Sequence, residues 1–468
     1  MIYEKIEITD AGAEGMAIGK IGEKVVFVPF VVPGDVVDVQ IVRKKKRYLE
    51  GKAIHFHQYS AKRVEPHCSH FGLCGGCRWQ GMNYEDQLFY KQKQVFDSLT
   101  RIGKVENPLV LPILPSAETR YYRNKLDFTF SNHRWLTESD KGDENIDRAT
   151  NALGFHIPQF FDKVVDILEC FHMKDPANAI RNAARQFAIT ENLTFYDVRT
   201  WQGFLRNLII RNTHAGGLMI IMVVRNQDEA IFRMLDHLYS GFPQITSLYY
   251  VINPKKNDTI YDLEFNLYKG EAFITEKMPP FREGGKEIIF RIGPASFFQT
   301  NSLQAMNLYR VASEFAGFSG NEHVYDLYTG TGTIANYIAP YVQKVTGIES
   351  VEAAIADARI NSQVNAIGNT SFFAGEAEKI LTREFIDQQG HPDVIITDPP
   401  RNGMHEKVIK SILEVRPSKV VYVSCNPATQ ARDIALMSEV YHLVKCQPVD
   451  MFPHTHHVEN VALLEARV

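Results

Sequence analysis

The sequence predicts an α/β protein in which a small β-barrel precedes a central α+β region and a doubly wound, Rossmann-like domain. Short β-rich runs broken by glycine and proline turns fill residues 1–58, and strand-like runs alternate with helix-like segments from residue 291 onward. Between these two regions, three cysteines lie within ten residues of one another. Because 468 residues exceed what one hydrophobic core usually supports, we predict three domains, 1–58, 59–290 and 291–468.

Composition narrows the classes of protein that fit. Hydrophobic residues make up 45% of the chain, which is ordinary for a globular protein. No apolar run approaches the roughly 20 residues that cross a membrane, and no signal peptide opens the sequence. We therefore predict a cytoplasmic protein with no membrane partner, and we expect a monomer. The net charge of −4 means that any surface for nucleic acid must be a local basic patch.

The first domain is predicted to be an OB-like barrel. Turns at Gly19, Gly22 and Pro33-Gly34 separate its β-rich runs. The runs are Lys24 to Phe30, Asp35 to Val42 and Ala53 to His57. Five or so short strands with tight turns fit a small closed barrel. The basic stretch Arg43–Arg47, with Tyr48 beside it, is predicted to be a hairpin tip, which is either a solvated turn or a grip for single-stranded RNA.

Four cysteines outside the last domain form a candidate metal site: Cys68, Cys74, Cys77 and Cys170. Gly75 and Gly76 allow a tight backbone turn, so that neighbouring thiolates can share one centre. In a reducing compartment, this grouping favours a metal or cluster over disulfides. We predict a four-iron cluster with a structural or RNA-organising role. Zinc is the alternative, since His67 and His70 are close in sequence. The cysteine spacing differs from that of radical enzymes.

The central region carries an amphipathic helix and two basic clusters. The helix is predicted over residues 84–100, and we expect it to pack on the catalytic domain. Its apolar side is formed by Tyr84, Leu88, Val95 and Leu99. Basic and aromatic or apolar residues interleave at 120–125 and again at 206–211, a pattern that suits RNA binding. The polar stretch Thr137–Ala149 predicts a mobile loop.

The third domain contains the pattern of an adenosyl-cofactor site. Asp326 to Gly332 is typical of a strand followed by a glycine turn, and a second strand, Lys344 to Glu349, ends in an acid. Such a carboxylate can take both ribose hydroxyls of the ligand, while Gly330 and Gly332 let the backbone approach its methionine portion. NAD is the alternative, but Ala335 stands where the dinucleotide fingerprint has its third glycine. S-adenosylmethionine fits the pattern better.

Two further strands of this domain end in candidate site residues. Val394 to Asp398 is followed by two prolines and Arg401, where amino-methyltransferases have an aromatic residue, which argues against methylation of an exocyclic nitrogen. Val420 to Val423 predicts a buried strand that ends at Ser424–Pro427, because proline lacks an N–H and restricts the residue before it. Cys425 then lies at the carboxyl edge of the sheet, as a nucleophile or as a small buried residue.

Five motifs together resemble the RNA uracil-5-methyltransferase family. They are Ser296-Phe-Phe-Gln299-Thr-Asn301, Asp326-Leu-Tyr-Thr-Gly-Thr-Gly332, Asp398-Pro-Pro-Arg-Asn-Gly403, Ser424-Cys425-Asn-Pro427 and Phe452-Pro-His-Thr-His-His-Val-Glu459-Asn460. The first domain resembles a TRAM domain, an RNA-binding module, and the barrel, the cluster cysteines and the catalytic domain follow that family's order. The resemblance is greatest to the branch acting on 23S ribosomal RNA, since the best-known bacterial tRNA branch lacks the barrel and the cluster.

The resemblance implies a role for each motif. The residues expected to contact S-adenosylmethionine are Gln299, Tyr328, Glu349 and Asp398, beside Gly330 and Gly332 of the glycine turn. Cys425 is expected to be the nucleophile and Glu459 the base. Two features depart from the family pattern. Tyr328 stands where other members have another residue, and histidines 454, 456 and 457 add groups that the chemistry does not need.

The chemistry explains why a thiol and a carboxylate are required. Carbon 5 of uracil is a poor nucleophile, and thiolate addition at carbon 6 raises its electron density. After methyl transfer, a base must remove the proton from carbon 5 so that the cysteine can leave. The alternatives are a tRNA uracil-5-methyltransferase, a non-catalytic RNA-binding protein and an iron–sulfur redox enzyme. The presence of both Cys425 and Glu459 disfavours the second, and the cysteine spacing disfavours the third.

Overall fold

A computed structural model describes residues 1–137, 140, 151–158 and 160–467. The predicted mobile loop Thr137–Ala149 lies mostly outside these residues. Within the described ranges, none of the helices combines the length and the apolar character needed to cross a membrane.

The first part of the chain forms a closed five-stranded barrel. Its strands are β1 (Ile2–Ala11), β2 (Ala17–Ile21), β3 (Lys24–Val28), β4 (Val36–Lys44) and β5 (Tyr48–Gln58). They are hydrogen-bonded in the order β1-β2-β3-β5-β4. Alternate side chains fill the interior, as the two-residue period of a strand requires. The predicted OB-like barrel is confirmed, and the basic stretch 43–47 lies at the tip of the β4–β5 hairpin.

The central region is built on a second, seven-stranded sheet. Its strands are β6 (Lys125–Ser131), β7 (Ala152–His156), β8 (Val164–Asp166), β9 (Leu205–Asn212), β10 (Leu218–Val224), β11 (Ser247–Ile252) and β12 (Asn266–Gly270), in the order β12-β11-β10-β9-β6-β7-β8. The helices of this region are α1 (Tyr84–Arg101), α2 (Ala177–Thr190) and α3 (Glu229–Gly241). The sheet and these helices fit the predicted α+β architecture; the fold itself does not show an iron–sulfur domain.

Both faces of this sheet are covered, and β10 shows how. Its side chains are all buried and alternate between two cores. Leu218, Ile220 and Met222 pack with α2 and α3 on one face. Met219 and Ile221 face the C-terminal half of the chain. The sequence of β10 is therefore apolar at every position, because neither face of the strand meets water.

The C-terminal half begins with a hairpin and continues as a third sheet. The hairpin strands are β13 (Ile274–Met278) and β14 (Ile288–Ile292), so the predicted boundary at 290/291 falls inside β14 and the domain division stays a prediction. The sheet strands are β15 (His323–Leu327), β16 (Lys344–Glu349), β17 (Thr370–Ala374), β18 (Val394–Thr397), β19 (Lys419–Ser424), β20 (Tyr441–Val449) and β21 (Glu459–Ala466). The helices are α4 (Ser302–Ala316), α5 (Thr333–Ile338), α6 (Glu352–Val364), α7 (Ala377–Ile380), α8 (Arg383–Gln389), α9 (Glu406–Val415) and α10 (Pro427–Met437).

This third sheet has the predicted doubly wound topology. Its order is β17-β16-β15-β18-β19-β21-β20, with β15 to β19 parallel and β20 and β21 antiparallel. The chain moves outward from β15 on one side and returns to β18 on the other. A crevice opens at such a switch point, beyond the carboxyl ends of the strands. Helix α1 packs on this half as well, since Val95 and Leu99 share a core with Ala431 and Ile434 of α10.

Candidate active site

Cys425 lies in the turn between β19 and α10, beside the crevice. The Asn426 side chain caps α10 by accepting the N–H of Ala428 at 3.1 Å, and Pro427 begins the helix. Burial raises the pKa of the Cys425 thiol to about 11, and the carboxyls of Glu459 and Asp398 add to this effect. In the resting protein, the candidate nucleophile is therefore a thiol that must lose its proton before it can attack.

Glu459 is brought beside Cys425 by strand pairing. β21 runs antiparallel to β19, and Asn460 pairs with Ser424. Cys425, which follows Ser424, and Glu459, which precedes Asn460, are therefore neighbours. Only 5% of Glu459 is exposed. Burial, followed by the nearby Asp398, raises the pKa of the Glu459 carboxyl to about 8. A carboxylate with this pKa is a much stronger proton acceptor than an ordinary surface acid.

The loop after β18 is fastened to the start of α10. Asn426 Nδ2 and Thr429 Oγ1 both donate hydrogen bonds to the carbonyl of Arg401, at 3.1 and 3.2 Å. The Tyr422 hydroxyl donates to the buried Asp433 carboxylate at 2.7 Å, and this carboxylate also accepts the N–H of Met404 at 2.8 Å. These contacts fix the two strand ends that carry Asp398 and Cys425. They also place a positive charge, that of Arg401, near the thiol.

The glycine turn and the acid after β16 meet as predicted for a donor site. The N–H of Gly330 donates to Glu349 Oε2 at 3.2 Å. Gly330 has a φ of +56°, and a side chain there would enter open space. Gly332, with a φ of +74°, has a different role, because a Cβ would lie 2.8 Å from the Ala358 side chain. Gly330 thus faces the crevice, whereas Gly332 permits close packing of α5 on α6.

Two more of the predicted donor residues, Tyr328 and Gln299, lie directly after β15 and shortly before α4. Tyr328 follows β15 with a φ of +63°, which is rare for a residue with a side chain and typical of functional sites. Gln299 lies just before α4, where its carbonyl accepts a hydrogen bond from Asn124 Nδ2 at 2.9 Å. Asn301 caps α4 and donates from Nδ2 to the carbonyl of Met451 at 3.0 Å. The segment 296–301 is therefore held against the connection that leads to Glu459.

Asp326, at the end of β15, belongs to this site although sequence reasoning gave it no role of its own. Its Oδ2 accepts the Thr329 hydroxyl at 2.5 Å and the Ala335 N–H at 3.1 Å, whereas its buried Oδ1 has no partner among the described residues. Burial raises the pKa values of Asp326 and Asp398 to about 7. Acids whose ionisation is disfavoured in this way suit a cationic ligand, and S-adenosylmethionine carries a sulfonium and an ammonium group. The sequence does contain a signal for Asp326, namely an acid at the end of a predicted strand that is followed by a glycine turn.

The three histidines of the last motif are neutral. Burial lowers the pKa of His454 and of His457 to about 3, and that of His456 to about 4. Imidazoles with such values are weak proton acceptors at neutral pH. Among the acids and histidines of this motif, Glu459 is therefore the strongest base.

The four predicted cysteines lie around one cavity of about 320 Å³; they are Cys68, Cys74, Cys77 and Cys170. Cys74 Sγ accepts the N–H of Gly76 at 3.4 Å, and Cys77 Sγ lies 3.1 Å from Nε2 of His172. Burial raises the pKa values of Cys74 and Cys77 to about 12. The chain thus brings distant cysteines together as the cluster prediction requires.

The fit of a metal group to this cavity depends on the group. Thiolates around a single zinc ion lie about 3.8 Å apart, given Zn–S bonds of about 2.3 Å. Across the described ranges, no three histidine, cysteine or acidic side chains are arranged to hold one metal ion. In a four-iron cluster each thiolate binds a different iron, so that the sulfurs stand further apart around a larger space. Four thiols thus line one cavity, but no metal site is found among the residues that the structure describes, so both the cluster and the zinc alternative stay predictions.

The fold and the acidic crevice at its switch point define the class of this protein as an S-adenosylmethionine-dependent methyltransferase. Residues 267–467 match the tRNA (uracil-5-)-methyltransferase family, and residues 3–54 match the TRAM domain. A Bacteroides thetaiotaomicron protein described as an uncharacterized RNA methyltransferase is 53% identical, over 97% of this chain and 100% of that protein. A Chlorobaculum tepidum protein with the same description is 38% identical, over 98% and 96%.

A solved structure resembles the whole chain. The Pyrococcus abyssi tRNA (uracil-54, C5)-methyltransferase, in complex with S-adenosyl-L-homocysteine, superposes with a TM-score of 0.75 at 28% identity. The match covers 99% of this chain and 100% of that one. These matches show that the chain belongs to the RNA uracil-5-methyltransferase family and carries an N-terminal TRAM domain. It is an S-adenosylmethionine-dependent RNA methyltransferase.

Proposed function

We propose that this enzyme methylates carbon 5 of a uridine in 23S ribosomal RNA, with Cys425 as nucleophile and Glu459 as base. The observation that carries this proposal is the pairing of β19 with β21, which puts a half-buried thiol and a buried carboxyl side by side at the crevice. A uridine must leave its stack to reach them, which favours a loop or an unpaired strand as substrate.

The reaction is derived from these two residues. The Cys425 thiol first loses its proton to solvent. The thiolate sulfur then adds to carbon 6 of uracil, and the electron pair of the ring double bond makes carbon 5 nucleophilic. When bound, S-adenosylmethionine supplies the electrophilic methyl group that carbon 5 takes up. Glu459 then accepts the proton of carbon 5. The electrons of that bond restore the double bond, and the carbon–sulfur pair returns to Cys425 as the product leaves.

The donor is proposed to lie along the switch-point crevice. The residues proposed to hold it are Gln299, Tyr328, Gly330, Gly332, Glu349 and Asp398. Glu349 is placed to accept hydrogen bonds from ribose hydroxyls, because it ends β16 beside the glycine turn. The Asp398 carboxyl lies near the thiol, since it contributes to the raised pKa of Cys425. Gly332 contributes chiefly by allowing α5 to approach α6.

Transfer RNA is a second candidate substrate, and a specific observation favours it. The matched Pyrococcus abyssi enzyme is a tRNA methyltransferase, and the match includes all of its chain. An N-terminal barrel therefore does not by itself separate the two substrate classes. Mapping of 5-methyluridine in ribosomal and transfer RNA from a deletion strain and its complemented parent tests the choice. We expect a missing methyl group in 23S RNA; loss in tRNA alone would assign the second substrate.

The nucleophile is tested by Cys425→Ala in the purified enzyme. Without the thiol, neither a covalent RNA adduct nor methyl transfer from labelled S-adenosylmethionine should be detected. Cys446→Ala is the matched control, since Cys446 is a buried thiol of β20 to which the mechanism gives no role. Continued methylation of uracil by Cys425→Ala would contradict the addition mechanism.

We further propose that the cysteine cavity holds a four-iron cluster with a structural or RNA-organising role, and that the enzyme acts as a monomer in the cytoplasm. Four thiols around one cavity support the cluster. Anaerobically purified protein should be brown and contain iron and sulfide in equal amounts. Replacement of Cys170 by Ala should abolish the colour. Colourless protein with stoichiometric zinc would overturn this assignment.

A further inference from the structure

The connection that leads into Glu459 is held in an unusual conformation. Residues 450–458 join β20 to β21, and Glu459 is the first residue after them. Within this connection, His454 has a φ of +65°. A residue with a side chain stays in that region only where its surroundings leave it no alternative. The contacts that constrain it come largely from the central region, more than 300 positions away along the chain.

One face of α1 provides the first set of these contacts. Tyr84, Gln87 and Lys91 are spaced three and four residues apart and so lie on the same side of the helix. Lys91 Nζ lies 2.6 Å from Oδ1 of Asp450 and donates to the carbonyl of Phe452 at 3.0 Å. The Tyr84 hydroxyl donates to the other oxygen of Asp450 at 2.7 Å. Both charged side chains of this ion pair are completely buried.

Gln87 and the loop before α1 provide the second set. The N–H of His454 donates to Oε1 of Gln87 at 2.9 Å. The carbonyl of His454 accepts the N–H groups of Arg78 and Trp79 at 2.9 and 3.0 Å. Nε2 of Gln87 donates to the Trp79 carbonyl at 3.0 Å and thereby links α1 to the loop that precedes it.

Further contacts leave little freedom to the backbone between Asp450 and His454. Asn301 Nδ2 donates to the carbonyl of Met451, and the Tyr122 hydroxyl donates to that of Pro453, both at 3.0 Å. With the bonds from α1 and its preceding loop, four consecutive carbonyls, those of residues 451–454, are each held from outside the connection. The backbone that leads to Glu459, the first residue of β21, is thus held in place.

We propose that the α1 face formed by Tyr84, Gln87 and Lys91 positions Glu459 for removal of the carbon 5 proton. This inference rests on the proposed function, because it takes Glu459 as the base. A buried ion pair contributes little net stability compared with well-packed apolar residues of the same size. The pair of Lys91 and Asp450 instead restricts the connection, residues 450–458, to one conformation. Addition of Cys425 and methyl transfer both precede the proton removal, and neither step uses Glu459 in the proposed mechanism.

The test removes the ion pair without leaving a buried charge unpaired. In Lys91→Met/Asp450→Asn, proton transfer to Glu459 slows, so that methylated RNA stays bonded to Cys425. Covalent RNA–protein adduct on denaturing gels should rise about tenfold, and the steady-state rate should fall about tenfold or more, as expected for a base displaced by a fraction of an ångström. The rate of methyl transfer in a single turnover should stay within about threefold of the unmodified enzyme.

A surface pair between α3 and β12 gives the matched control. Lys269 Nζ lies 2.5 Å from Oδ1 of Asp236 with both side chains exposed, and Lys269→Met/Asp236→Asn makes the same chemical change. This control should leave the adduct level and the steady-state rate unchanged. Tyr84→Phe is the milder variant should the double variant fold poorly; it removes one hydroxyl from Asp450 and should give a smaller rise in adduct. Urea midpoints establish that each variant is folded.

Glu459→Gln separates this proposal from the function on which it rests. If Glu459→Gln accumulates the adduct while Lys91→Met/Asp450→Asn and Tyr84→Phe turn over normally, positioning by α1 is overturned and the proposed base stands. If Glu459→Gln itself gives no adduct, the proposed base is wrong and the positioning role falls with it. An equal slowing of single-turnover methyl transfer and of turnover would show a general structural role and would also overturn the proposal.

Discussion

At the scale of single residues, the crevice collects acids whose carboxyls ionise less readily than those of ordinary surface acids. The pKa of Asp398 is raised to about 7 and that of Glu459 to about 8, chiefly because the protein excludes water from both carboxyls. Each also disfavours ionisation of its neighbours, including the Cys425 thiol. A cationic ligand in the crevice reverses this balance, because it stabilises the anionic forms. Binding of the methyl donor is thus expected to favour the thiolate that the reaction needs.

The proposed ribose contact predicts a defined loss of donor affinity. Glu349→Ala removes a charged hydrogen-bond acceptor and should weaken S-adenosylmethionine binding by about 1.5–3 kcal/mol. Isothermal calorimetry measures this difference directly. Glu352→Ala, at an exposed position in the first turn of α6, is the control and should bind normally. Equal affinity of the two variants would mean that the ribose lies elsewhere.

The raised pKa of Glu459 also predicts how stability depends on pH. The unfolded chain has the ordinary value of 4.5 and the folded protein about 8, so the folded state holds its proton more tightly. The stability that comes from this proton is fully present below the unfolded value and is lost as the pH rises through the folded value. Glu459→Gln mimics the protonated form. It should be neutral near about pH 4–5 and should stabilise the protein by about 1–3 kcal/mol near about pH 9.

Urea unfolding at both pH values measures this difference. Glu465→Gln lies in the same strand at a partly exposed position and serves as the control, for which no comparable gain is expected. If the stability that Glu459→Gln gains over the unmodified enzyme is the same at both pH values, the raised pKa of the Glu459 carboxyl is contradicted.

At the scale of elements, local sequence was sufficient for β19, whose side chains are nearly all buried, and for the amphipathic helix α1. The strand predicted over Val420 to Val423 is found as β19, and the helix predicted over 84–100 is found as α1, each within one residue at either end. β1 was not predicted, because its sequence carries charged residues at many positions and its pairing partners are set by barrel closure. Glu349 and Asp398 were predicted as site acids because the topology itself gathers the carboxyl ends of parallel strands.

The contacts made by α1 could not be derived from sequence in the same way. Lys91 looks like any polar residue of an amphipathic helix, and its partner Asp450 is 359 positions away. Periodicity identifies the apolar side of a helix but gives no information on a buried ion pair between distant segments. For the same reason, Gln87 could not be identified as a partner of His454.

The hairpin tip of the barrel predicts a salt-dependent contribution to RNA binding. Lys45, Lys46 and Arg47 are exposed between β4 and β5, whereas Arg43 lies within 3.8 Å of Glu50. Replacing the three exposed residues by alanine should lower the slope of log affinity against log salt by about 2, given about 0.7 for each phosphate contact of a single strand. The control is a variant that removes the same charge from another part of the barrel by changing three exposed residues together to alanine: Lys20, Lys24 and Lys52. If both triple variants lose affinity equally, the tip has no special role.

At the scale of the whole molecule, the hydrophobic cores do not follow the predicted domain boundaries. One core runs from β10 of the central sheet through the β13–β14 hairpin to the C-terminal sheet, so that these parts bury a common set of side chains. The barrel, in contrast, has a core of its own. Its attachment to the rest includes a small cluster around Val32 and Trp79 and the ion pair between Asp10 and Lys93. The barrel is therefore the part best able to unfold by itself.

This arrangement predicts two unfolding transitions. Ile8 is completely buried in the barrel, and Ile8→Ala should cost about 2–5 kcal/mol through the cavity that it leaves. Because a barrel of fewer than 60 residues has only a small core, this loss should lower the transition of the barrel without moving that of the remaining chain. Leu235→Ala, in the core between α3 and the central sheet, should do the reverse. Scanning calorimetry resolves the two transitions, and hydrogen exchange assigns each to its segments. A single transition lowered equally by both substitutions would show that the barrel and the catalytic body unfold as one unit, which its separate core argues against.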